Sequence, residues 1–370
     1  MTLRHTRLAR TGSVVAAVAV STVVVLPASA HAAPGYALSS VPAGVVSGGE
    51  IALDQGRQQI FIADNNDSMR TTGSNFIPSD HPVKPKVEVF STTANRPVRG
   101  IDLSNQPQGL MMIGPVELIP AAQVPDGLAI DPKRGRVLVT NAHASGVTVF
   151  GMNARAVTPR NLTSIRYSHP MGAVVNPTTG RFYVGLNGTG KVGIFSSAGR
   201  LVGEIPNLNK ASFLDVDASR NRLYVGNADY EAKKDNFVAV IDLRTNRIIK
   251  KIKTPSNTRV KVDPSTGRVW ANSYDTGKIS IIDPNSLRVV QTIDTKTTPA
   301  KLAIDSSRRR VYSANLQKKS ITVFNADTGA ILATIPTGKA APHTVAVDQA
   351  TGVVYASQHI GSKLIVLRPN

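Results

Sequence analysis

One short pattern recurs seven times, and it limits the fold more than any other feature of the chain. It reads GEIALDQGRQQIFIAD at 49–64 and DGLAIDPKRGRVLVTN at 126–141. It returns as MGAVVNPTTGRFYVGL (171–186), SFLDVDASRNRLYVGN (212–227) and RVKVDPSTGRVWANS (259–273). The last copies are AKLAIDSSRRRVYSAN (300–315) and HTVAVDQATGVVYASQ (343–358). Each copy is an apolar run, an Asp or Asn, a short Gly- or Arg-bearing turn, and a second apolar run. The marker residues are Asp54, Asp131, Asn176, Asp217, Asp263, Asp305 and Asp348. From Asp131 onward they recur at intervals of 45, 41, 46, 42 and 43 residues. The first interval, 77 residues, is one repeat lengthened by insertions near 65–86 and 104–124.

Two further β-branched runs follow each marked pair, as in KISIIDPNSLRVVQTID (278–294) and SITVFNADTGAILATIP (320–336). Their Asp-Pro-Asn and Asp-Thr-Gly junctions favour tight reversal. Four antiparallel strands in about 40–45 residues match a propeller blade. The sequence therefore predicts an all-β, seven-bladed β-propeller. The last repeat has room for three strands before Asn370, so GYALSSVPAGVV (35–46) is expected to supply the fourth and close the ring.

The segment 1–32 reads as a cleavable leader. Arg4, Arg7 and Arg10 precede the apolar run Val14 to Leu26, and small residues offer cleavage near 30 or 32. The expected domains are this leader and one propeller over 33–370. No cysteine is present, so neither disulfides nor a thiol-linked lipid enters the account. No later run is long and apolar enough to span a bilayer. The expected place is the cell envelope or the exterior, and the expected state a monomer. Net charge is +19, and removing the three leader arginines leaves +16. That excess draws anionic partners such as a cell-wall polymer, nucleic acid or acidic lipid; a protein is the other expected partner class. Aromatic residues make up only 5% of the chain, too few for an extended base-stacking platform.

Val139-Thr140-Asn141, Tyr224-Val225-Gly226-Asn227 and Tyr312-Ser313-Ala314-Asn315 each precede a short loop and a β-branched strand. In this the chain resembles the YVTN-type β-propeller repeat proteins across about 36–370. The third and fifth repeats carry Leu186 and Ser273 in place of that Asn. The resemblance implies the propeller architecture. Propellers of this type include surface proteins, binding proteins and relatives of lactonases and dehydrogenase subunits.

In a four-stranded blade, the first and third turns lie on one face of the disc, and the second turns and blade junctions on the other. The first set gathers Arg134, Arg136, Arg220, Arg222, Arg308, Arg309 and Arg310, an expected anion-binding face or a set of turn-solvating residues. The second set gathers His81, His143, His169, His343 and His359, with Glu50 and Asp126 at the start of inner strands. Glu50, Asp126, His143, His169, His343 and His359 are the expected ligand-binding residues near the channel mouth.

Catalytic signatures are sparse. GLNGTGKV (185–192) imitates a phosphate loop but has Val192 where Ser or Thr would hold magnesium. No zinc motif and no Gly-x-Ser-x-Gly elbow occurs. His143 and His169 each lie near a serine without an identifiable third group. DNNDSMRTTG (64–73) lacks the glycine of a calcium loop, and Asp229, Glu231 and Asp235 share their loop with two lysines. The sequence leaves no residue assigned to catalysis, and it predicts no cofactor. One alternative is enzymatic. GGEIALD…IFIAD (48–64) is similar to the first strand pair of gluconolactonase- and regucalcin-like propellers. That similarity implies a divalent cation held by Glu50 with Asn141 and Asn227, polarising a lactone carbonyl. The reading led by the sequence is a non-enzymatic binding protein, with the metal-dependent hydrolase and a surface-layer-like scaffold as alternatives.

Overall fold

Every marker residue starts a turn in which the fourth residue after it is left-handed. These residues are Gln58, Gly135, Gly180, Asn221, Gly267, Arg309 and Gly352, with φ between 52° and 76°. The left-handed step reverses the chain, so the inner strand pairs at once with the second strand. All seven marker side chains are buried.

A computed structural model describes residues 35–64, 70–72, 75–77, 84–107, 109–113, 117–121, 125–229 and 236–370. They form seven four-stranded antiparallel sheets, the blades of a β-propeller. The inner strands are Gly48–Asp54, Leu128–Asp131, Pro170–Val175, Ala211–Asp217, Thr258–Val262, Pro299–Asp305 and Pro342–Val347. We number the blades one to seven in that order. In blades one to six each sheet runs outward in chain order. In blade seven the outermost strand is Tyr36–Pro42, antiparallel to Lys363–Pro369 with Tyr36 opposite Pro369. Short hairpins lie within the two lengthened connections: Arg70–Thr72 with Asn75–Ile77, and Gly109–Ile113 with Glu117–Ala121. Among the described residues there is no α-helix, only the 3-10 turns Pro159–Asn161 and Asn187–Thr189.

Second strands such as Phe182–Leu186 and Val269–Ser273 are buried throughout, whereas outer strands such as Arg288–Asp294 are largely exposed. Seven apolar clusters result, one at each junction between neighbouring blades. The cluster between blades seven and one includes Ala43, Ile51, Ile60, Tyr355 and Leu364, with Val41 packed against it.

Arginine supplies a second kind of junction. Asp54, Asp131, Asp217 and Asp305 pair with the guanidinium three residues on, at 2.8, 3.0, 3.1 and 3.2 Å. The same guanidinium then crosses to the next blade. Arg134 donates to the Pro177 and Thr178 carbonyls, Arg220 to Thr266, and Arg308 to Gln349 and Ala350. The receiving turns in blades three, five and seven end in Thr-Gly. A Cβ on Gly267 would sit 2.1 Å from Arg220 Nη1 and one on Gly180 2.5 Å from Arg134 Nε. Bare glycine is what lets the arginine lie flat against the neighbouring turn.

Candidate functional site

The inner strands enclose a central cavity of about 530 Å³. Two residues before each marker, the lining is Ala52, Ala129, Val174, Ala303 and Ala346 in five blades, and Asp215 and Lys261 in the other two. Four residues before the marker, on the side of the second turns, the lining includes Glu50, Gly172, Phe213, Arg259 and Lys301. Charge is therefore confined to blades one, four, five and six. Three cations face two carboxylates around the cavity.

Their geometry is specific. Lys301 Nζ lies 2.8 Å from Glu50 Oε2 and 4.7 Å from the centre of the Phe213 ring. One ammonium from blade six thus touches blade one and blade four. Arg259 lies over the other available partner surface: its Cζ is 4.4 Å from the Phe213 ring centre and 5.1 Å from that of Tyr274. Its Nη1 donates to Asn257 Oδ1 at 3.4 Å. Deeper, Lys261 pairs with Asp215 at 3.0 Å, and Asp215 also accepts the Val262 N–H. The Asp215 charge holds the Lys261 ammonium above its ordinary pKa.

The histidines fall into two pairs. His143 and His169 meet edge to face at 5.4 Å, beside Asp126, whose Oδ2 accepts the Ala142 N–H at 2.8 Å. Burial pushes Asp126 up to about 6, against the pull of Ala142 and His169. Burial pushes both histidines down to about 4. His343 and His359 meet at 5.1 Å, and burial, helped by His359, Arg259 and Lys301, pushes His343 down to about 3. His343 Nδ1 is buried without a hydrogen-bond partner. None of the four histidines lines the cavity itself. His81, Glu231 and Asp235 lie outside the described residues.

Among the described residues, no three His, Asp or Glu side chains converge as metal ligands. Glu50 lines the cavity and holds Lys301; Asn141 and Asn227 do not line it. Asn141 donates to Thr148 Oγ1 and Asn227 to Asn236 Oδ1, each within its own blade. The donor set implied by similarity to lactonase-like propellers is therefore not assembled, and these residues do not fit a shared cation. In the third and fifth repeats, where Leu186 and Ser273 replace the strand-end Asn, neighbouring residues bridge blades: Asn187 reaches the Ala228 carbonyl and Asn272 the Pro299 carbonyl.

On the arginine side, Arg134, Arg220 and Arg308 serve as the junctions described above. Arg309 pairs with Asp263 and Asp327 at 2.8 and 2.7 Å, and Arg222 donates to the Pro284 carbonyl. Hydrogen bonds from Arg309, Ser265 and Thr266 outweigh burial and hold Asp263 at about 2. Arg136 and Arg310 stand outside this hydrogen-bonded network. Most of the charge read from the sequence as a face is thus matched by carboxylates and carbonyls.

Sequence reasoning passed over Phe213, Asp215, Arg259, Lys261 and Lys301. The signal was present: aligned on the marker, these are the inner-strand positions where the other repeats, apart from Glu50 and Thr344, carry Gly, Ala or Val.

No family model matches the chain. Two curated relatives, both named as the uncharacterised protein YncE, come from Salmonella typhi and Salmonella typhimurium; each is 23% identical over 194 residues. The match takes in 52% of this chain and 42% of each relative, so the chain spans less than half their length. Among solved structures the chain is similar to the β-propeller domain of Cps50 (Swd1) from Myceliophteria thermophila, with a TM-score of 0.66 and 10% identity. That likeness covers 90% of this chain and 98% of that domain, and it is a likeness of fold. The chain is a seven-bladed β-propeller distantly related to YncE.

Proposed function

We propose that the chain is a non-enzymatic binding protein of the cell envelope or the exterior, built from YVTN-type repeats, and that it engages an anionic partner at the channel mouth. One observation carries this reading: Arg259 and Lys301 both approach the ring of Phe213 at the entrance of the central cavity. The two cations make the channel mouth locally positive, which attracts an anion, and Lys301 already holds the Glu50 carboxylate there. The concave, largely preformed cavity has the size of small-molecule sites. The leader-like segment 1–32 supports placement outside the cytoplasm.

Calorimetric titration with acetate and with inorganic phosphate at low ionic strength tests the site. Binding should weaken as salt is raised and fall at least tenfold in Arg259→Gln. Binding that survives the substitution unchanged contradicts the reading. N-terminal sequencing of the exported product tests the placement: a mature start near residue 31 or 33 supports it, and an intact Met1 in a cell-retained protein refutes it.

A further inference from the structure

The channel mouth already contains a carboxylate on one of its cations. Glu50 Oε2 and Lys301 Nζ are 2.8 Å apart, with side chains 23% and 20% exposed, so solvent reaches both. Directly below, five blades present Ala52, Ala129, Val174, Ala303 and Ala346 at one level, and the other two present the Lys261–Asp215 ion pair there. A polar head and a largely apolar body are thus offered in sequence along the channel axis.

Resting on the anion-binding reading above, we propose that the channel takes a monocarboxylate with an apolar body, whose carboxylate replaces that of Glu50 on Lys301 beside Arg259 and whose body lies against the Ala/Val waist. Two features favour this class over a free phosphate. The group that Lys301 holds in the empty protein is itself a carboxylate. The waist has no donor except the Lys261 ammonium, which Asp215 already engages, so a multiply charged body would lie against methyl groups.

Glu50 is then an internal competitor. A ligand must displace its carboxylate, and the displaced group turns to solvent at the mouth. Removing that charge while keeping the side-chain shape should raise affinity. The metal-ligand role for Glu50 predicts the reverse, because Gln is a poorer ligand for a hard cation.

Calorimetry with acetate, hexanoate, octanoate and inorganic phosphate tests this on the purified protein, with Glu50→Gln and Lys301→Met compared. Affinity should rise from acetate to octanoate, about threefold to fourfold for each methylene that enters the waist. Glu50→Gln should tighten octanoate about tenfold, and Lys301→Met should weaken it by at least that factor. Thermal melts of each variant, read without ligand, establish that it is folded. If phosphate and acetate bind as tightly as octanoate, the anion site stands and the apolar-body inference fails. If octanoate weakens in folded Glu50→Gln, the competitor role is overturned. If no anion binds any folded variant, both this inference and the anion-binding reading fail.

Discussion

Gly267→Ala perturbs one arginine junction and, beyond that, only a left-handed backbone position. Gly135 provides the control, because both glycines are fourth after their markers and both are left-handed, at φ 76° and 63°. A Cβ on Gly135 meets nothing within 4 Å, so Gly135→Ala costs only the left-handed backbone, about 1 kcal/mol. A Cβ on Gly267 would lie 2.1 Å from Arg220 Nη1, 2.7 Å from its Cζ and 3.0 Å from Asp217 Oδ2. Arg220 must leave. It then gives up its bonds to Asp217 at 3.1 Å and to the Thr266 carbonyl at 3.2 Å. Charge-assisted bonds contribute about 1.5–3 kcal/mol each where buried. The Arg220 side chain is 33% exposed, so screening reduces the pair to about 2 kcal/mol together. Gly267→Ala should therefore destabilise by about 3 kcal/mol, and Gly135→Ala by about 1. Guanidinium unfolding followed by circular dichroism measures both. In an Arg220→Ala background the excess should vanish, leaving Gly267→Ala as mild as Gly135→Ala. Equal costs in the wild-type background, or an excess that persists without the arginine, would refute the interlock.

Deleting residues 33–48 removes the outer strand of blade seven together with buried Ala43 and Val45, and breaks the Tyr36–Tyr312 hydroxyl contact at 3.1 Å. We expect a loss of at least about 3 kcal/mol in thermal unfolding, and an unchanged midpoint would remove the strand from any role in closing the ring. Stability should also fall on acidification from pH 6.5 towards 4. His143, His169 and His343 titrate lower in the native state than when unfolded, so the unfolded chain binds more protons across that window. Asp126, held at about 6, acts in the opposite sense between its unfolded value and 6, so Asp126→Asn should steepen the acid loss; a melting temperature that rises towards pH 5 would contradict this sign. Arg309→Ala should destabilise by about 1–3 kcal/mol because it leaves buried Asp263 without its guanidinium, and a neutral result would return Arg309 to the set of free surface charges.

The repeat was legible because each marker must end a strand and begin a reversal, and that demand leaves an Asp or Asn at every copy. The glycines at 135, 180, 267 and 352 signalled the left-handed step; Gln58, Asn221 and Arg309 take the same step without glycine and gave no such signal. The arginines were legible as turn residues but not as junctions, because the partner of Arg220 is 46 positions away in the next blade. The histidines sat in recognisable loops, yet their pairing across blade boundaries depends on how adjacent loops lean. The channel residues were hidden for a different reason. Phe213, Arg259 and Lys301 lie within strands that otherwise read as apolar or small, and strand alternation does not say which residues turn to the axis of a closed ring. Only alignment of the repeats on their markers exposes them.

The central claim is that an anion binds at the channel mouth and not on the arginine-rich side. Octanoate and inorganic phosphate affinities measured by calorimetry for Arg259→Gln and Arg136→Gln, side by side, decide it most directly. Arg136 is exposed and lies outside the hydrogen-bonded junctions, so both variants remove one positive charge from opposite sides of the ring. The account predicts at least a tenfold loss in Arg259→Gln and none in Arg136→Gln. Loss in Arg136→Gln with full binding in Arg259→Gln would contradict it.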